Sequence, residues 1–175
     1  MPGLCLKHPT LRLRWILYLA VFFWIFAGIA LAQTSSRMDR EVKGFFEEAQ
    51  RYHLGIDRAV NLPKAYQHYQ EVVKRDPGHQ DAYYNLAHIC FVRKRYNLAV
   101  KYYGKVIGLD PGDADAYNNL GTVYRQQGNF TQARKMYEKA IRLNRNLGVA
   151  YYNLANLTLE QGDEDRALRI VEEGL

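Results

Sequence analysis

Cysteine is scarce in this sequence, which excludes a disulfide framework. The 175 residues contain two cysteines, Cys5 and Cys90, and Cys5 lies in a basic segment at the N-terminus. A domain that contains Cys90 alone has no second cysteine with which to form an internal disulfide. Cys90 lies at a packing position of a predicted helix, so we expect a buried and unreactive thiol.

A concentrated excess of positive charge is also missing. The chain has 24 Lys and Arg residues and 18 Asp and Glu residues, a formal net charge of +6. Three of the basic residues, Lys7, Arg12 and Arg14, precede residue 33, and no acidic residue does, so residues 33–175 carry only +3. Nucleic-acid-binding proteins usually present a concentrated basic face, so we do not expect a nucleic-acid partner.

Motifs for catalysis and metal binding are absent from the sequence. There is no glycine-rich loop followed by Lys-Ser or Lys-Thr, and no GxGxxG, CxxC or HExxH. His53, His68, His79 and His88 are not spaced i, i+4 on one helix, as ligands of a helical metal site would be. We therefore expect no catalytic site, no metal and no other cofactor.

A long apolar run is present near the N-terminus. Residues 15–32, WILYLAVFFWIFAGIALA, contain no charge and follow the basic residues 1–14. The tripeptide Ala-Leu-Ala that ends at Ala32 predicts signal-peptide cleavage before Gln33. Alternatively the run is an uncleaved anchor, because it approaches the roughly 20 residues needed to span a bilayer. The protein is therefore expected in the periplasm or cell envelope, or secreted, if it is cleaved, and membrane-anchored by residues 15–32 otherwise.

The rest of the chain is built from a unit that recurs every 34 residues. Residues 80–113 and 114–147 are successive copies, residues 148–175 form a partial copy, and residues 45–79 form a blurred one. The clearest matches between the two full copies are Tyr83 with Tyr117, Leu86 with Leu120, Ala99 with Ala133 and Tyr103 with Tyr137. Apolar residues at three- and four-residue steps predict two helices in each unit. Residues 33–44 are predicted to form a short polar linker.

This period and pattern resemble the tetratricopeptide repeat (TPR) family. The resemblance implies an all-α fold: a right-handed superhelix, or α-solenoid, of antiparallel helix pairs, preceded here by the hydrophobic leader helix. Small residues are expected where the two helices of a unit cross, namely Ala87, Gly121 and Ala155. Gly128 and Gly162 lie where the first helix of a unit ends, at a position that favours left-handed backbone, and the first full copy has Lys94 there.

The blurred copy resembles the Sel-one-like repeat, a relative of the tetratricopeptide repeat. The positions that match are Tyr52, Gly55, Asn61, Lys64, Ala65 and Tyr69. The sequence departs from that pattern at Asp57, where a second glycine is expected. Asn61 is predicted to cap the second helix of this copy, with Pro63 in its first turn.

In the tetratricopeptide family, the first helices of the units line a concave groove that receives extended peptides or partner helices. The resemblance carries the groove positions over to Asp81, Tyr84, Asn85, His88, Phe91, Asp115, Asn118, Asn119, Thr122, Arg125, Tyr152, Asn153, Asn156 and Leu159. Asn85, Asn119 and Asn153 resemble the asparagine ladder of O-linked N-acetylglucosamine transferases. An Asn amide can donate to a peptide carbonyl and accept from a peptide N–H, so such a ladder would hold a peptide backbone. Alternatively, each asparagine only satisfies neighbouring backbone.

These features predict a non-catalytic scaffold or adaptor that binds an extended polypeptide and helps to assemble a complex in the cell envelope. Chaperone-binding members hold a C-terminal carboxylate with Lys and Arg, but the corresponding places here are mainly Tyr84, His88, Val149 and Asn153, which argues against a carboxylate clamp. An alternative function is that of the N-terminal repeats of a larger enzyme, such as a glycosyltransferase. No polar helix follows to cover Ile170, Val171 and Leu175, so self-association through this end is a further hypothesis.

Overall fold

Helices are the only regular secondary structure in the described part of the chain. A computed structural model describes residues 9–57 and 59–175, with side chains from residue 31 onward. These residues form eight helices and no strand. The helices are α1 (Pro9–Leu54), α2 (Leu62–Arg75), α3 (Gln80–Val92), α4 (Tyr96–Leu109), α5 (Ala114–Gln126), α6 (Phe130–Leu143), α7 (Gly148–Glu160) and α8 (Glu164–Glu173). The predicted all-helical solenoid is therefore confirmed.

The helices follow the 34-residue period of the sequence. We call α3, α5 and α7 the A helices, and they begin at Gln80, Ala114 and Gly148. We call α4, α6 and α8 the B helices, and each packs against the A helix before it. Helix α2 packs against the end of α1, where the Tyr52 and His68 rings stack at 5.5 Å. Four helix pairs therefore succeed one another.

Small residues allow the two helices of a pair to pack closely. A methyl group added to Gly121 on α5 would lie 2.7 Å from the ring of Tyr137 and 3.2 Å from the carbonyl oxygen of Ala133 on α6. Tyr137 and Ala133 are fully buried, so the ring has little room to move. The equivalent Ala87 on α3 is also fully buried. This is the close helix crossing that the sequence pattern predicts.

Residues with left-handed backbone conformation follow the ends of the A helices, as predicted. Gly128 and Gly162 have φ values of +75° and +83°, and Lys94 adopts the same conformation with φ of +56°. Gly55 and Asp57, which follow α1, also have positive φ values, of +72° and +58°. Asp57 thus has the left-handed backbone that glycine adopts at the lowest cost.

The second helix of each pair begins at equivalent residues. Asn61 accepts a hydrogen bond from the Lys64 N–H at 3.1 Å, which confirms the predicted cap of α2. Asn129 and Asp163 cap α6 and α8 in the same way. Arg95, at the equivalent place before α4, has no side-chain capping bond. Helix α4 therefore lacks a stabilising contact that the other three helices have.

The predicted linker, residues 33–44, is helical and continues α1. Arg37 Nε lies 3.1 Å from Glu41 Oε1, an i, i+4 ion pair that favours helix. The chain divides into two compact units, Met1–Lys43 and Gly44–Leu175. The repeats were predicted to start at residue 45, which is one residue after that division. The segment predicted as a linker is therefore helical, and its role as a linker stays a prediction.

The predicted leader lies largely outside the described residues, because no side chain before residue 31 is described. The predicted cleavage residues, Ala32 and Gln33, are exposed and helical within α1. In the part of the chain whose side chains the structure describes, no helix is both long enough and apolar enough to cross a membrane. Cleavage and membrane anchoring both stay predictions.

The C-terminal helix differs from the sequence-based expectation. Ile170, which was expected to need a covering helix, is only 8% exposed and packs with Tyr151 and Leu154. Val171, by contrast, is 41% exposed. Self-association through this end stays a prediction.

Candidate functional site

The A helices are joined to one another by polar side chains. The hydroxyl of Tyr84 on α3 accepts a hydrogen bond from the amide of Asn119 on α5. The Oδ1 atom of Asn118 on α5 accepts a hydrogen bond from Nδ2 of Asn153 on α7 at 2.9 Å. Both contacts join residues 35 positions apart in sequence. A row of hydrogen bonds therefore runs across the three A helices.

The three asparagines of the predicted ladder occupy equivalent, half-buried positions on the A helices. Asn119 and Asn153 donate to the preceding A helix, whereas Asn85 donates to the backbone carbonyl of Asp81 at 2.9 Å. Each of these contacts uses one N–H of the amide. A second N–H and a carbonyl oxygen belong to each amide group and can bond a peptide backbone. The geometry is therefore compatible with both of the roles predicted for these asparagines.

An ion pair joins α5 to α7 at the other end of the same surface. Arg125 donates from Nε to Glu160 Oε2 at 3.1 Å, and from Nη2 to Glu160 Oε1. Hydrogen bonding to this carboxylate raises the pKa of the Arg125 guanidinium. Arg125 was predicted as a groove residue, but sequence analysis missed Glu160. The spacing of 35 residues, which the Tyr84 and Asn118 contacts share, is the signal that could have found it.

Two histidines meet where α1 faces α3. Nδ1 of His88 lies 3.3 Å from Nε2 of His53, and the hydroxyl of Tyr69 on α2 lies 3.5 Å from Nδ1 of His53. Burial lowers the pKa of His53, and the neighbouring charge of His88 lowers it further. Sequence analysis did not predict this pair, because the residues lie on different helices. Within the described residues, no three His, Cys, Asp or Glu side chains are grouped closely enough to hold a metal ion.

Tyr84 connects this polar surface to the core of its own pair. Its ring meets the ring of Tyr103 on α4 edge-on, with 5.6 Å between the ring centroids. Burial raises the pKa of Tyr84, and the charge of Asp115 raises it further. The hydroxyl therefore stays protonated and can take part in hydrogen bonds at neutral pH.

Comparison with known families identifies this arrangement. The sequence profile described as "Tetratricopeptide repeat" matches residues 79–146 and 112–175, which together span more than half of the chain. The chain belongs to the tetratricopeptide repeat family. The polar row described above therefore lies on tetratricopeptide A helices.

Solved structures with related folds agree with this assignment. A crystal structure of MamA is 25% identical with a TM-score of 0.69, covering 76% of this chain and 75% of that chain. MamA residues 41 to the end from Desulfovibrio magneticus RS-1 give 21% identity and a TM-score of 0.68, over 76% and 73% of the two chains. The first TPR of Spaghetti (RPAP3), bound to the HSP90 peptide SRMEEVD, gives 19% and 0.63, over 70% and 94%. No curated protein matches the chain significantly.

The predicted tetratricopeptide groove residues differ in their accessibility. Asp81, His88, Asp115, Tyr152 and Leu159 are exposed, and Tyr84, Phe91, Thr122, Arg125 and Asn156 are half-buried. Asn118 is not solvent-facing as predicted, because it is only 5% exposed and its Oδ1 accepts the hydrogen bond from Asn153. The equivalent residues on the other A helices are Tyr84 and Tyr152, which are long enough to reach the surface. A shorter amide at this position stays buried.

The cysteine within the repeats is buried as predicted. Cys90 is 1% exposed and packs among Ala87, Ala99 and Tyr103. Burial raises the pKa of its thiol, which keeps the thiol protonated at neutral pH. A protonated, inaccessible thiol is a poor nucleophile and metal ligand.

Proposed function

We propose that this tetratricopeptide protein is a non-catalytic scaffold whose A helices bind an extended polypeptide. The observation that carries the proposal is the row of equivalent asparagines, Asn85, Asn119 and Asn153, one on each A helix. Each keeps amide atoms beyond those used in the contacts described above. The RPAP3 domain of related fold is bound to a peptide, which supports a peptide ligand for this fold.

The binding free energy of such a ladder is small, so other contacts must contribute to the affinity. Three hydrogen bonds at about 0.5–1.5 kcal/mol each contribute roughly 2–4 kcal/mol, which corresponds at best to about millimolar affinity. Aromatic side chains that flank the row, Tyr84, Phe91 and Tyr152, supply additional contact area. Tyr152 is 63% exposed and available for such a contact. The asparagines orient the bound chain, and the aromatic rings add affinity.

The groove proposal is tested by peptide selection on the full chain. Peptides of about twelve residues are selected from a displayed random library, and their affinities are measured by fluorescence anisotropy. We expect Asn85→Ala/Asn119→Ala/Asn153→Ala to weaken binding at least about thirtyfold, because roughly 2 kcal/mol or more is lost. Asn146→Ala, an exposed loop variant, serves as the matched control. Equal binding by the triple variant and the control would show that the asparagines contact no ligand.

We further propose that the scaffold acts in the cell envelope after export and that its repeats wind as a right-handed superhelix. The apolar run at residues 15–32 and the Ala-Leu-Ala tripeptide before Gln33 support export. N-terminal sequencing of the protein from its native host tests this location. A mature chain that starts at Gln33 is expected. An intact N-terminus in the membrane fraction would indicate an anchor, and one in the cytosol would contradict export.

A further inference from the structure

The A helices carry almost no positive charge. Helices α3 and α7 contain no Lys or Arg, and α5 contains only Arg125. The guanidinium of Arg125 is already held by the carboxylate of Glu160. An acidic ligand that enters along the A helices therefore finds no unpaired Lys or Arg on them.

Two carboxylates on the same helices are available to a ligand. Asp81 and Asp115 are exposed in the first turns of α3 and α5, at equivalent positions of successive repeats. Neither forms an ion pair with a cation in the described part of the chain. Each lies one helical turn before an asparagine of the row: Asn85 bonds the backbone carbonyl of Asp81, and Asp115 precedes Asn119 by four residues on α5. These carboxylates and the asparagines therefore belong to one surface.

The opposite charge is concentrated on two of the B helices, α4 and α6, whereas α8 carries more acidic than basic residues. Helix α4 carries Lys101 and Lys105 and no acidic residue. Helix α6 carries one acidic residue, Glu138, and four basic residues, namely Arg134, Lys135, Lys139 and Arg142. The sign of the charge thus changes between the A helices and the helices α4 and α6. A basic ligand is attracted to the A helices and repelled by α4 and α6.

We propose that the A-helix surface binds an extended segment with two basic side chains, which pair with Asp81 and Asp115. The inference rests on the function proposed above and names its ligand class. Neighbouring helix axes lie about 8–10 Å apart. In an extended chain of the polyproline II type, residues i and i+3 point the same way and lie about 9 Å apart. The expected pattern is therefore Lys or Arg at two positions three residues apart.

The same distribution of charge on the A helices disfavours the binding of acidic peptides such as SRMEEVD, the ligand of the RPAP3 domain. The glutamates and the terminal carboxylate of such a peptide would approach Asp81 and Asp115 without an available cation. Like charges at close range weaken binding even at an exposed surface. This chain and that domain are thus expected to select ligands of opposite charge.

The test compares peptide selection on the 175-residue chain and on two variants of it. Asp81→Asn/Asp115→Asn removes the proposed partners, and Asp165→Asn/Glu172→Gln removes two exposed carboxylates of α8 as a matched control. We expect peptides selected on the wild type and on the control to be enriched in Lys or Arg spaced by three. We expect the Asp81→Asn/Asp115→Asn variant to select no such excess. The peptide SRMEEVD should bind more weakly than the selected peptides.

Affinity measurements complete the test. The selected peptides should bind the Asp81→Asn/Asp115→Asn variant about two- to thirtyfold more weakly, as expected for two exposed ion pairs. Raising the salt concentration should weaken wild-type binding to a similar extent. Selected peptides without a basic excess, or an excess that survives in this variant, would overturn the ligand class while leaving the groove itself intact. Selection of no peptide by the wild type would overturn the proposed function as well.

Discussion

Lys94 occupies a backbone conformation that its equivalents fill with glycine. Its φ of +56° matches the left-handed region occupied by Gly128 and Gly162. A non-glycine residue in this region costs roughly 1–2 kcal/mol of folded-state stability. Glycine avoids this cost, but its greater freedom in the unfolded state offsets part of the gain. The conformational strain at Lys94 comes from its Cβ atom, which glycine lacks.

We expect Lys94→Gly to increase the free energy of unfolding by about 0.5–1 kcal/mol, because glycine removes that Cβ clash. Urea denaturation followed by circular dichroism measures the change. Lys101→Gly is the matched control, since Lys101 lies inside α4 and glycine there should destabilise by about 1 kcal/mol. A loss of stability in both variants would contradict the explanation.

The contact between His53 and His88 predicts a dependence of stability on pH. Burial and the charge of His88 lower the pKa of His53 in the folded protein below its ordinary value of 6.5. The unfolded chain therefore binds more protons as the pH falls below 6.5. Stability is complete above that pH and is lost as the pH falls through the folded-state pKa. Besides His88 on α3, the Tyr69 hydroxyl on α2 faces the ring.

We expect His53→Gln to reduce this loss of stability in acid. The urea midpoints of wild type and variant are compared between about pH 5 and about pH 8. The difference between the two midpoints should shrink as the pH falls, because His53 is protonated in the wild type only. The measurement at the alkaline end is the internal control, since the histidine is neutral there in both states. Parallel curves over the whole range would exclude His53 as the titrating group.

At the scale of whole helices, the start of α4 departs from the pattern of its equivalents. Asn61, Asn129 and Asp163 cap their helices, whereas Arg95 does not. The backbone at Arg95, with φ of −87°, nearly coincides with that at Asn129, with φ of −86°. The backbone is thus ready to receive a capping side chain.

We therefore expect Arg95→Asn to stabilise the protein by about 1 kcal/mol, because the new side chain can accept from an N–H of the first turn of α4. Thermal unfolding gives the measurement. Arg93→Asn, two residues earlier in the same turn, should change stability by less than about 0.5 kcal/mol. An equal effect of both substitutions would indicate a change in surface charge, and not a helix cap.

Two helical glycines, one at the crossing of α5 and α6 and one within α4, are expected to respond in opposite ways to substitution. Gly121→Val should destabilise by about 1–3 kcal/mol, because even a methyl group there would lie 2.7 Å from Tyr137. Gly104, inside α4, has open space around an added methyl group, so Gly104→Ala should stabilise by about 0.5–1 kcal/mol. Guanidinium denaturation distinguishes the two. Stabilisation of both variants would show that the crossing can relax.

The period of the sequence predicts the elements better than it predicts the contacts between them. Glycines such as Gly128 repeat because one backbone conformation repeats, so both the helix ends and the small crossing residues could be read from the sequence. The contacts between A helices are harder to read, because two of the three join unlike residues. Tyr84 bonds an asparagine and Arg125 bonds a glutamate at a common spacing of 35 residues. The geometry repeats while the chemistry changes, which hides the pattern from a search for similar residues.

For the whole repeat array, stability should depend on the number of neighbours that each helix has. Helix α5 packs against α4, α6 and α7, whereas α8 packs mainly against α7. Large apolar side chains of α8 stay exposed, with Leu168 at 62% and Val171 at 41%. In repeat proteins each unit is stabilised by its interfaces with adjacent units, so a helix with one interface opens more often.

We therefore expect amide hydrogen exchange in the 175-residue chain to be slowest in α5 and fastest in α8 among the helices from α3 onward. Mass spectrometry of peptic peptides can follow the exchange of α5 and of α8. We expect their exchange rates to differ roughly tenfold or more, which corresponds to about 1.4 kcal/mol in opening free energy. Gly121→Val should raise exchange in α5 and α6 toward that of α8, because it weakens the interface between them. Uniform exchange across α3 to α8 would mean that the array unfolds as one cooperative unit in which the number of interfaces has no local effect.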